Sequence, residues 1–196
     1  MISFAIVGNI ASGKSTVENV LQEKGYKVFD TDIIAHEVLN DFAEEIINQF
    51  DGHDISENGK VSREKLGKIV FNDKKLKENL EYIVHPEIKN RIKSIFEKNK
   101  NEKYVFVSIP LLFEIGWGNL FDKILFIKTE DDIRLKRLMQ RNKFTQEEAL
   151  SRIKSQLPQE KKAKKADFVI ENNSSIDVLQ KYIERFIIQL EDNGET

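Results

Sequence analysis

The residues best suited to chemistry lie near the start of the chain, in a segment that ends in lysine and serine. Gly8-Asn-Ile-Ala-Ser-Gly13-Lys14-Ser15 matches the pattern G-x-x-x-x-G-K-[ST]. In such a loop backbone N–H groups surround a phosphate, the lysine reaches the β- and γ-phosphate oxygens, and the serine hydroxyl binds Mg²⁺. Ser15 is therefore the candidate metal ligand. The residues that we expect to bind ATP are Ala11, Ser12, Gly13, Lys14, Ser15 and Thr16.

The pattern around this loop supplies the two elements that it requires. An apolar run over residues 2–7 indicates a strand that leads into Gly8, and a helical pattern extends from about Lys14 to Lys24. We expect the Lys14 side chain to be exposed at the start of this helix. The partial positive charge of the helix N-terminus then adds to the attraction for phosphate.

Short strands and helices alternate along the rest of the chain. The runs at 104–109 and 123–128 are apolar at almost every position, which is typical of strands covered by helices on both faces. This alternation predicts an α/β fold with a doubly wound parallel sheet of the P-loop type. Further strands are predicted at 26–29 and 168–170, a turn at 57–60, and helical regions at 33–98, 132–142, 145–157 and around Val178, Leu179, Ile183, Phe186 and Ile187.

Composition excludes several classes of site. The chain has 196 residues, a net charge of −2 and no cysteine, so it offers no disulfide, thiolate zinc site or cysteine nucleophile. His36, His53 and His85 are too scattered to form a metal cluster by spacing. No apolar run approaches the roughly 18 residues of a membrane span, and the first residues lack the pattern of a signal peptide. We therefore expect a cytoplasmic protein without a membrane, nucleic-acid or obligate protein partner.

The chain lacks the motifs of two large classes of phosphate-loop protein, the GTPases and the motor or unwinding ATPases. GTPases need a D-x-x-G segment, and no glycine here has Asp three positions before it. Motor and unwinding ATPases end a hydrophobic strand in Asp or Glu, which holds Mg²⁺ and activates water. The corresponding run here ends in Ser108-Ile109-Pro110, and Glu114 lies beyond it. These absences favour a small-molecule kinase, in which a carboxylate deprotonates or orients the acceptor hydroxyl.

Two acids after the second predicted strand are candidates for that carboxylate. Asp30 and Asp32 follow the carboxyl end of a strand, where ligands bind in open α/β sheets. Their spacing allows only one of them to face the phosphate loop. The alternative is that Asp30, Thr31 or Asp32 is the N-cap of the next helix. Position alone leaves both interpretations open.

The helix predicted at 132–142 supplies cationic groups. Arg134, Arg137 and Arg141 share one face of it. A kinase needs a mobile cationic element that screens the transferred phosphoryl group and excludes water. The alternative is a solvated helix surface, and the lysine-rich segment at 161–165 is predicted to be such a surface.

Several motifs beyond the phosphate loop resemble those of the dephospho-CoA kinase family. They follow the family's order from residue 4 to about residue 173. The resemblance implies phosphorylation of the ribose 3′-hydroxyl of dephospho-coenzyme A by ATP, with Mg²⁺ as cofactor. The segments that carry it are Asp30-Thr31-Asp32-Ile33-Ile34-Ala35-His36, Leu66-Gly67-Lys68-Ile69-Val70-Phe71, His85-Pro86, Pro110-Leu111-Leu112-Phe113-Glu114, Gln140-Arg141 and Ala166-Asp167-x-Val169-Ile170-x-Asn172-Asn173.

The resemblance also implies how the chain is divided. A helical insertion at 33–98 would bind the acceptor, and a lid at 131–165 would close over the phosphates. The nucleotide-binding core would comprise residues 1–32, 99–130 and 166–196.

By the same resemblance, Asp32 is the catalytic base, and Arg141 is the catalytic lid arginine that approaches the phosphates together with Lys14. Asp32, His85 and Glu114 would bind the acceptor substrate. A lone histidine before Pro86 also fits a packing residue at a helix boundary, so that interpretation stays open.

The chain departs from the family pattern at two places. Asn9 and Ala11 stand where the family loop usually has more glycine, so either Ala11 needs no positive φ or the loop is strained. Thr31 replaces the usual alanine between the two acids.

Two alternative functions remain. The first is a kinase of another nucleoside or nucleotide, which would have a similar loop, base and lid. The second is not an enzyme but a nucleotide-binding switch.

Overall fold

The computed structural model describes residues 1–192, which form two compact units. One unit comprises Met1–Phe29 together with the chain from Lys100 onward, and the other comprises Asp30–Asn99. Residues 193–196, the end of the predicted core, lie outside the described residues. None of the described helices is long and apolar enough to cross a membrane. The elements in chain order are β1 (Ile2–Gly8), α1 (Lys14–Glu23), β2 (Lys27–Asp30), α2 (Thr31–Asp41), α3 (Ala43–Gln49), β3 (Ser56–Glu57), β4 (Lys60–Val61), α4 (Arg63–Asn72), α5 (Lys74–Lys98), β5 (Tyr104–Ser108), a 3₁₀ turn (Gly118–Leu120), β6 (Lys123–Lys128), α6 (Asp131–Asn142), α7 (Gln146–Lys154), α8 (Gln159–Ala163), β7 (Phe168–Glu171) and α9 (Ile176–Asp192).

The first unit contains a five-stranded sheet with β1 at its centre. The strand order is β2-β5-β1-β6-β7, and β1 pairs in parallel with both β5 and β6, as β6 does with β7. Residues Phe4 to Val7 of β1 are at most 1% exposed, although neighbouring side chains of a strand point to opposite faces. Both faces of the central strand are therefore covered, and the predicted α/β fold is confirmed.

Aromatic side chains pack beside this sheet and hold the first helix. The Phe4 ring stacks on Phe106 with a centroid distance of 5.1 Å and meets Phe186 of α9 edge-on at 5.9 Å. Val17 and Leu21 of α1 are fully buried in the same cluster. This packing fixes α1, and therefore the loop that precedes it.

The second unit is helical apart from one hairpin. β3 and β4 pair antiparallel across Asn58-Gly59, whose φ angles are 51° and 75°. A two-residue hairpin turn favours Asn-Gly because both positions need positive φ, so the predicted turn is confirmed. Each strand has only two residues, which is too short for an alternating pattern to predict.

A cluster of charges joins two helices within the second unit. The Arg91 guanidinium of α5 donates to Asp41 of α2 at 2.6 Å and to Glu37 of α2 at 3.3 Å. The hydrogen bond to Asp41 is the main cause that raises the pKa of Arg91 above its usual value. These contacts fix α2, the helix that carries Asp32.

Residues 155–157 are not part of a helix, although the sequence predicts a helix that extends to about Leu157. α7 ends at Lys154, and the Gln156 side chain and the Leu157 carbonyl contact the phosphate loop instead. Pro158 disfavours helical geometry in the residue before it. The predicted helix end at Leu157 is therefore wrong, and the sequence pattern does not predict the short helix α8 that follows.

Candidate active site

The phosphate loop lies between the central strand and α1, as in P-loop nucleotide-binding folds. Its turn is closed by a hydrogen bond from the Ser12 N–H to the Asn9 carbonyl at 3.0 Å. Ala11 has a φ of 61°, so this position does need the left-handed region, at a cost of about 1–2 kcal/mol. Gly13 has a φ of 86°, and a β-carbon there would collide with the Asn172 side chain. The loop is therefore strained at Ala11, and glycine is required at position 13.

Residues at the ends of β6 and β7 hold the loop from outside. The Ser12 carbonyl accepts hydrogen bonds from Thr129 Oγ1 at 2.9 Å and from Asn172 Nδ2 at 2.8 Å. Both donors are buried, and each follows directly the last residue of its strand. The resemblance includes Asn172 without assigning it a role, whereas nothing in the sequence pattern indicates Thr129.

The three arginines of α6 have different surroundings. Arg134 is 2% exposed, lies 2.7 Å from Asp131 and donates to the Ile10 carbonyl at 3.4 Å. Arg137 donates to the Ala11 carbonyl at 3.4 Å, and burial lowers the pKa of its guanidinium. Arg141 is exposed, and its Nε donates to the Asn142 side chain at 2.9 Å. Two of these arginines therefore support the phosphate loop, and Arg141 is the one that faces solvent.

Lys14 is not the exposed residue that its position predicts, because it is part of a compact polar cluster. Its Nζ lies 2.6 Å from Glu18 Oε1 and also contacts Ser108 Oγ. Ser108 Oγ donates to the same Glu18 oxygen at 2.7 Å. The side chains of Lys14 and Glu18 are 16% and 11% exposed. Glu18 is not among the residues predicted for the site, although its i, i+4 spacing from Lys14 on a predicted helix indicates the ion pair.

Glu114 lies in a second polar cluster. Its Oε1 is 2.6 Å from Lys162 Nζ, and it accepts a hydrogen bond from the Leu157 N–H at 3.3 Å. The Lys162 side chain is fully buried. The prediction that the lysine run is a solvated surface is therefore wrong for Lys162, because α8 turns this residue inward and the carboxylate offsets the cost of its burial.

In the second unit, Asp30 is the last residue of β2, and Asp32 lies beyond the strand. Asp30 is the N-cap of α2, since its side chain accepts a hydrogen bond from the Asp32 N–H at 2.8 Å. Asp32 lies in the first turn of that helix and is exposed. The N-cap interpretation therefore applies to Asp30, and Asp32 is not the N-cap residue.

His85 lies inside α5, and the helix continues through Pro86. The interpretation of this pair as a helix boundary is therefore wrong. Burial is the main cause that lowers the pKa of the His85 imidazole below its usual 6.5, Lys89 and Lys77 lower it further, and Glu81 opposes them.

No metal site made of protein ligands alone is present in the described part of the chain, since residues 1–192 contain no group of three His, Asp or Glu side chains that could hold an ion. Mg²⁺ nevertheless fits the phosphate loop, because this ion usually keeps several waters and combines one or two protein oxygens with substrate phosphates. Ser15 lies in the first turn of α1, and the Glu18 carboxylate lies one turn further along the same helix. One hydroxyl with a nearby carboxylate suits that chemistry.

Known proteins resemble this chain over nearly its full length. Residues 2–177 match the family described as dephospho-CoA kinase. The dephospho-CoA kinase of Listeria innocua is 43% identical and covers 94% of this chain and 97% of its own length. That of Fusobacterium nucleatum is 44% identical and covers 92% and 94%. The solved dephospho-CoA kinase of Campylobacter jejuni has a TM-score of 0.76 at 37% identity and covers 99% of this chain and 98% of that chain. The chain therefore belongs to the dephospho-CoA kinase family.

Proposed function

We propose that this chain transfers the γ-phosphoryl group of ATP to the ribose 3′-hydroxyl of dephospho-coenzyme A, which is the last step of coenzyme A synthesis. The family match over residues 2–177 carries the proposal. It is supported by the geometry of a phosphate loop that begins at the end of the central strand and opens α1. ATP and dephospho-coenzyme A are its two substrates.

ATP binds at the phosphate loop, through residues Ala11 to Thr16. The backbone N–H groups of the loop and the N-terminus of α1 attract the phosphates. Lys14 exchanges its contacts with Glu18 and Ser108 for the β- and γ-phosphate oxygens. Ser15 would hold the Mg²⁺ that accompanies ATP, which would supply positive charge beside those phosphates.

Asp32 is the catalytic base in this proposal. It accepts the proton of the 3′-hydroxyl while that oxygen forms its bond to the γ-phosphorus, and the bond to the β–γ bridging oxygen breaks to release ADP. Phosphoryl transfer depends chiefly on positioning, so Asp32 also orients the hydroxyl. The N-cap of the helix that carries Asp32 is Asp30.

The helical segment 33–98 holds the acceptor, with His85 as a contact residue. Glu114 is a second predicted contact, although Lys162 and the Leu157 N–H already bind its carboxylate. The segment 131–165 acts as the lid, in which Arg141 approaches the transferred group. The division into core (1–32, 99–130 and 166–196), insertion (33–98) and lid (131–165) is part of the proposal.

An ADP-release assay tests this function. The purified chain with ATP and Mg²⁺ should release ADP rapidly when dephospho-coenzyme A is added, and slowly with AMP, CMP or shikimate. Activity of the chain alone would also support the absence of an obligate partner. Faster turnover with AMP or CMP would favour a nucleotide kinase, and tight ATP binding without acceptor-dependent turnover would favour a switch. A cytoplasmic location stays a prediction.

A further inference from the structure

The acid that phosphate-loop enzymes usually place at a strand end is missing from this chain. In such enzymes Mg²⁺ is held by the loop Ser or Thr and by an Asp at the end of a hydrophobic strand. β5, the strand next to β1, ends in Ser108, which has no charge. The proposed ATP site therefore lacks a carboxylate on that strand.

Glu18 brings a carboxylate to the same place from another element. It lies on α1, four residues after Lys14, and its Oε1 is 2.7 Å from Ser108 Oγ and 2.6 Å from Lys14 Nζ. The glutamate thus reaches the end of β5 across 90 residues of sequence.

The burial of Glu18 has to be explained, because most of the α1 face around it is apolar. The whole residue is 9% exposed, and its neighbours Val17 and Leu21 belong to the hydrophobic core. An ionised carboxylate at such a position costs free energy unless partners compensate it. Among residues 1–192, both hydrogen bonds to the Glu18 carboxylate end on Oε1. Lys14 and Ser108 are therefore the partners that compensate the burial of this carboxylate.

We infer that Glu18 is a positioning residue that replaces the missing strand-end acid of this chain. Before ATP binds, Glu18 and Ser108 hold the Lys14 ammonium at the start of α1, next to the phosphate loop. When Lys14 turns to the phosphates, the carboxylate that remains, fixed by the Ser108 hydroxyl, orients the waters of the Mg²⁺ that accompanies ATP. The inference rests on the proposed function only in requiring that MgATP binds this loop.

This role predicts a strong dependence of ATP binding on Mg²⁺. A carboxylate close to a triphosphate repels it when no cation lies between them, and attracts the complex when a divalent cation does. The measurable quantity is the Mg²⁺ coupling, which is the ratio of the ATP dissociation constant without Mg²⁺ to that with saturating Mg²⁺. Removing the Glu18 charge should tighten binding of free ATP and weaken binding of MgATP, and both changes lower the ratio.

The test is calorimetric titration of ATP, with and without Mg²⁺, into the full chain in the absence of acceptor. Glu18→Gln should lower the coupling about tenfold or more, the size of a typical coupling between two sites. Glu23→Gln is the matched control, since it removes the same charge from the exposed last residue of α1, and it should leave the coupling unchanged. Adding Ser108→Asp to Glu18→Gln moves the carboxylate to the strand end and should restore most of the coupling.

Unchanged coupling in Glu18→Gln, or an equal loss in Glu23→Gln, would overturn the inference, as would a folded double variant without restored coupling. If Glu18→Gln is not folded at the assay temperature, Ser108→Ala carries the test, because it removes the hydroxyl that orients the carboxylate. It should lower the coupling by about threefold, and no change would overturn the inference. Since no acceptor is present, failure of dephospho-coenzyme A turnover would contradict the proposed function and leave this result intact.

Discussion

At the scale of single residues, ATP binding must replace an existing ion pair. Lys14 contacts Glu18 and Ser108. These contacts keep the ammonium close to its working position, so less side-chain entropy is lost when the phosphates arrive. They also mean that a substitution of Lys14 affects stability as well as catalysis.

Lys14→Ala should lower kcat by about 10²-fold or more, the scale of removing a charge donor from the transition state. It should also lower the free energy of unfolding by about 1–3 kcal/mol, because the partly buried Glu18 carboxylate loses its main partner. ADP-release kinetics and thermal melting measure the two effects.

Lys14→Ala/Glu18→Gln is the matched control for that prediction. Removing the orphaned charge should recover most of the stability and none of the activity. A fully active Lys14→Ala with an unchanged melting curve would contradict the phosphate-loop assignment.

Asp32→Asn should lower kcat by about 10²–10⁴-fold with ATP binding retained, because the amide keeps the shape but cannot accept the proton. Asp30→Asn should remain well folded and active, since Asn is as good an N-cap as Asp. Asp30→Ala should instead cost about 1 kcal/mol of stability through loss of the cap. Steady-state kinetics, ATP titration and melting curves distinguish these outcomes. If Asp30→Asn loses activity and Asp32→Asn keeps it, the base has been assigned to the wrong acid.

At the scale of elements, α6 combines two roles along its length. Arg134 and Arg137, in its middle, donate to carbonyls of the phosphate loop, while Arg141 lies exposed near its C-terminus. In the proposed lid, the far end of α6 is therefore the part that is not tied to the loop by these two hydrogen bonds.

This division predicts different effects of two arginine substitutions. Arg137→Ala should weaken ATP binding and lower the melting temperature, because it removes the guanidinium that links the Ala11 carbonyl of the loop to the Asn172 carbonyl after β7. Arg141→Ala should lower kcat while the ATP dissociation constant and melting temperature stay near their original values. Arg141→Lys should recover part of kcat, since an ammonium cannot make a two-pronged contact. Wild-type kinetics in both Arg141 variants would show that its side chain is only a solvated surface group.

At the scale of the whole molecule, acid sensitivity arises partly in the helical unit. Burial lowers the pKa of His85 below its usual 6.5 in the folded chain. The unfolded chain therefore binds a proton at a higher pH than the folded chain does, and stability falls as the pH falls through this window.

The melting temperature of the wild-type chain should accordingly decrease between about pH 7.5 and pH 5. His85→Gln, which stays neutral, should make that decrease smaller. The exposed His53 provides the control, and His53→Gln should leave the pH profile unchanged. Melting curves at closely spaced pH values measure the difference, and identical profiles for wild type and His85→Gln would contradict the prediction.

The sequence by itself determined the phosphate loop, the parallel α/β fold and the family. Each of these depends on short-range patterns: glycine and lysine at set spacing, doubly apolar strand runs, and motifs in a definite order. The same local logic predicted the Asn58-Gly59 turn and placed both acids at the carboxyl end of β2. It left the choice of N-cap open between them, because neighbouring residues of the same type compete for one hydrogen bond.

Only the tertiary structure decided which polar groups meet. Glu18 and Ser108 are 90 residues apart, and Thr129 reaches the Ser12 carbonyl from 117 residues away. Lys162 looks solvated in sequence and is buried against Glu114 because α8 turns it inward. Such pairings depend on how strands and helices pack in three dimensions, since a local pattern records the character of a side chain but does not record its distant partner.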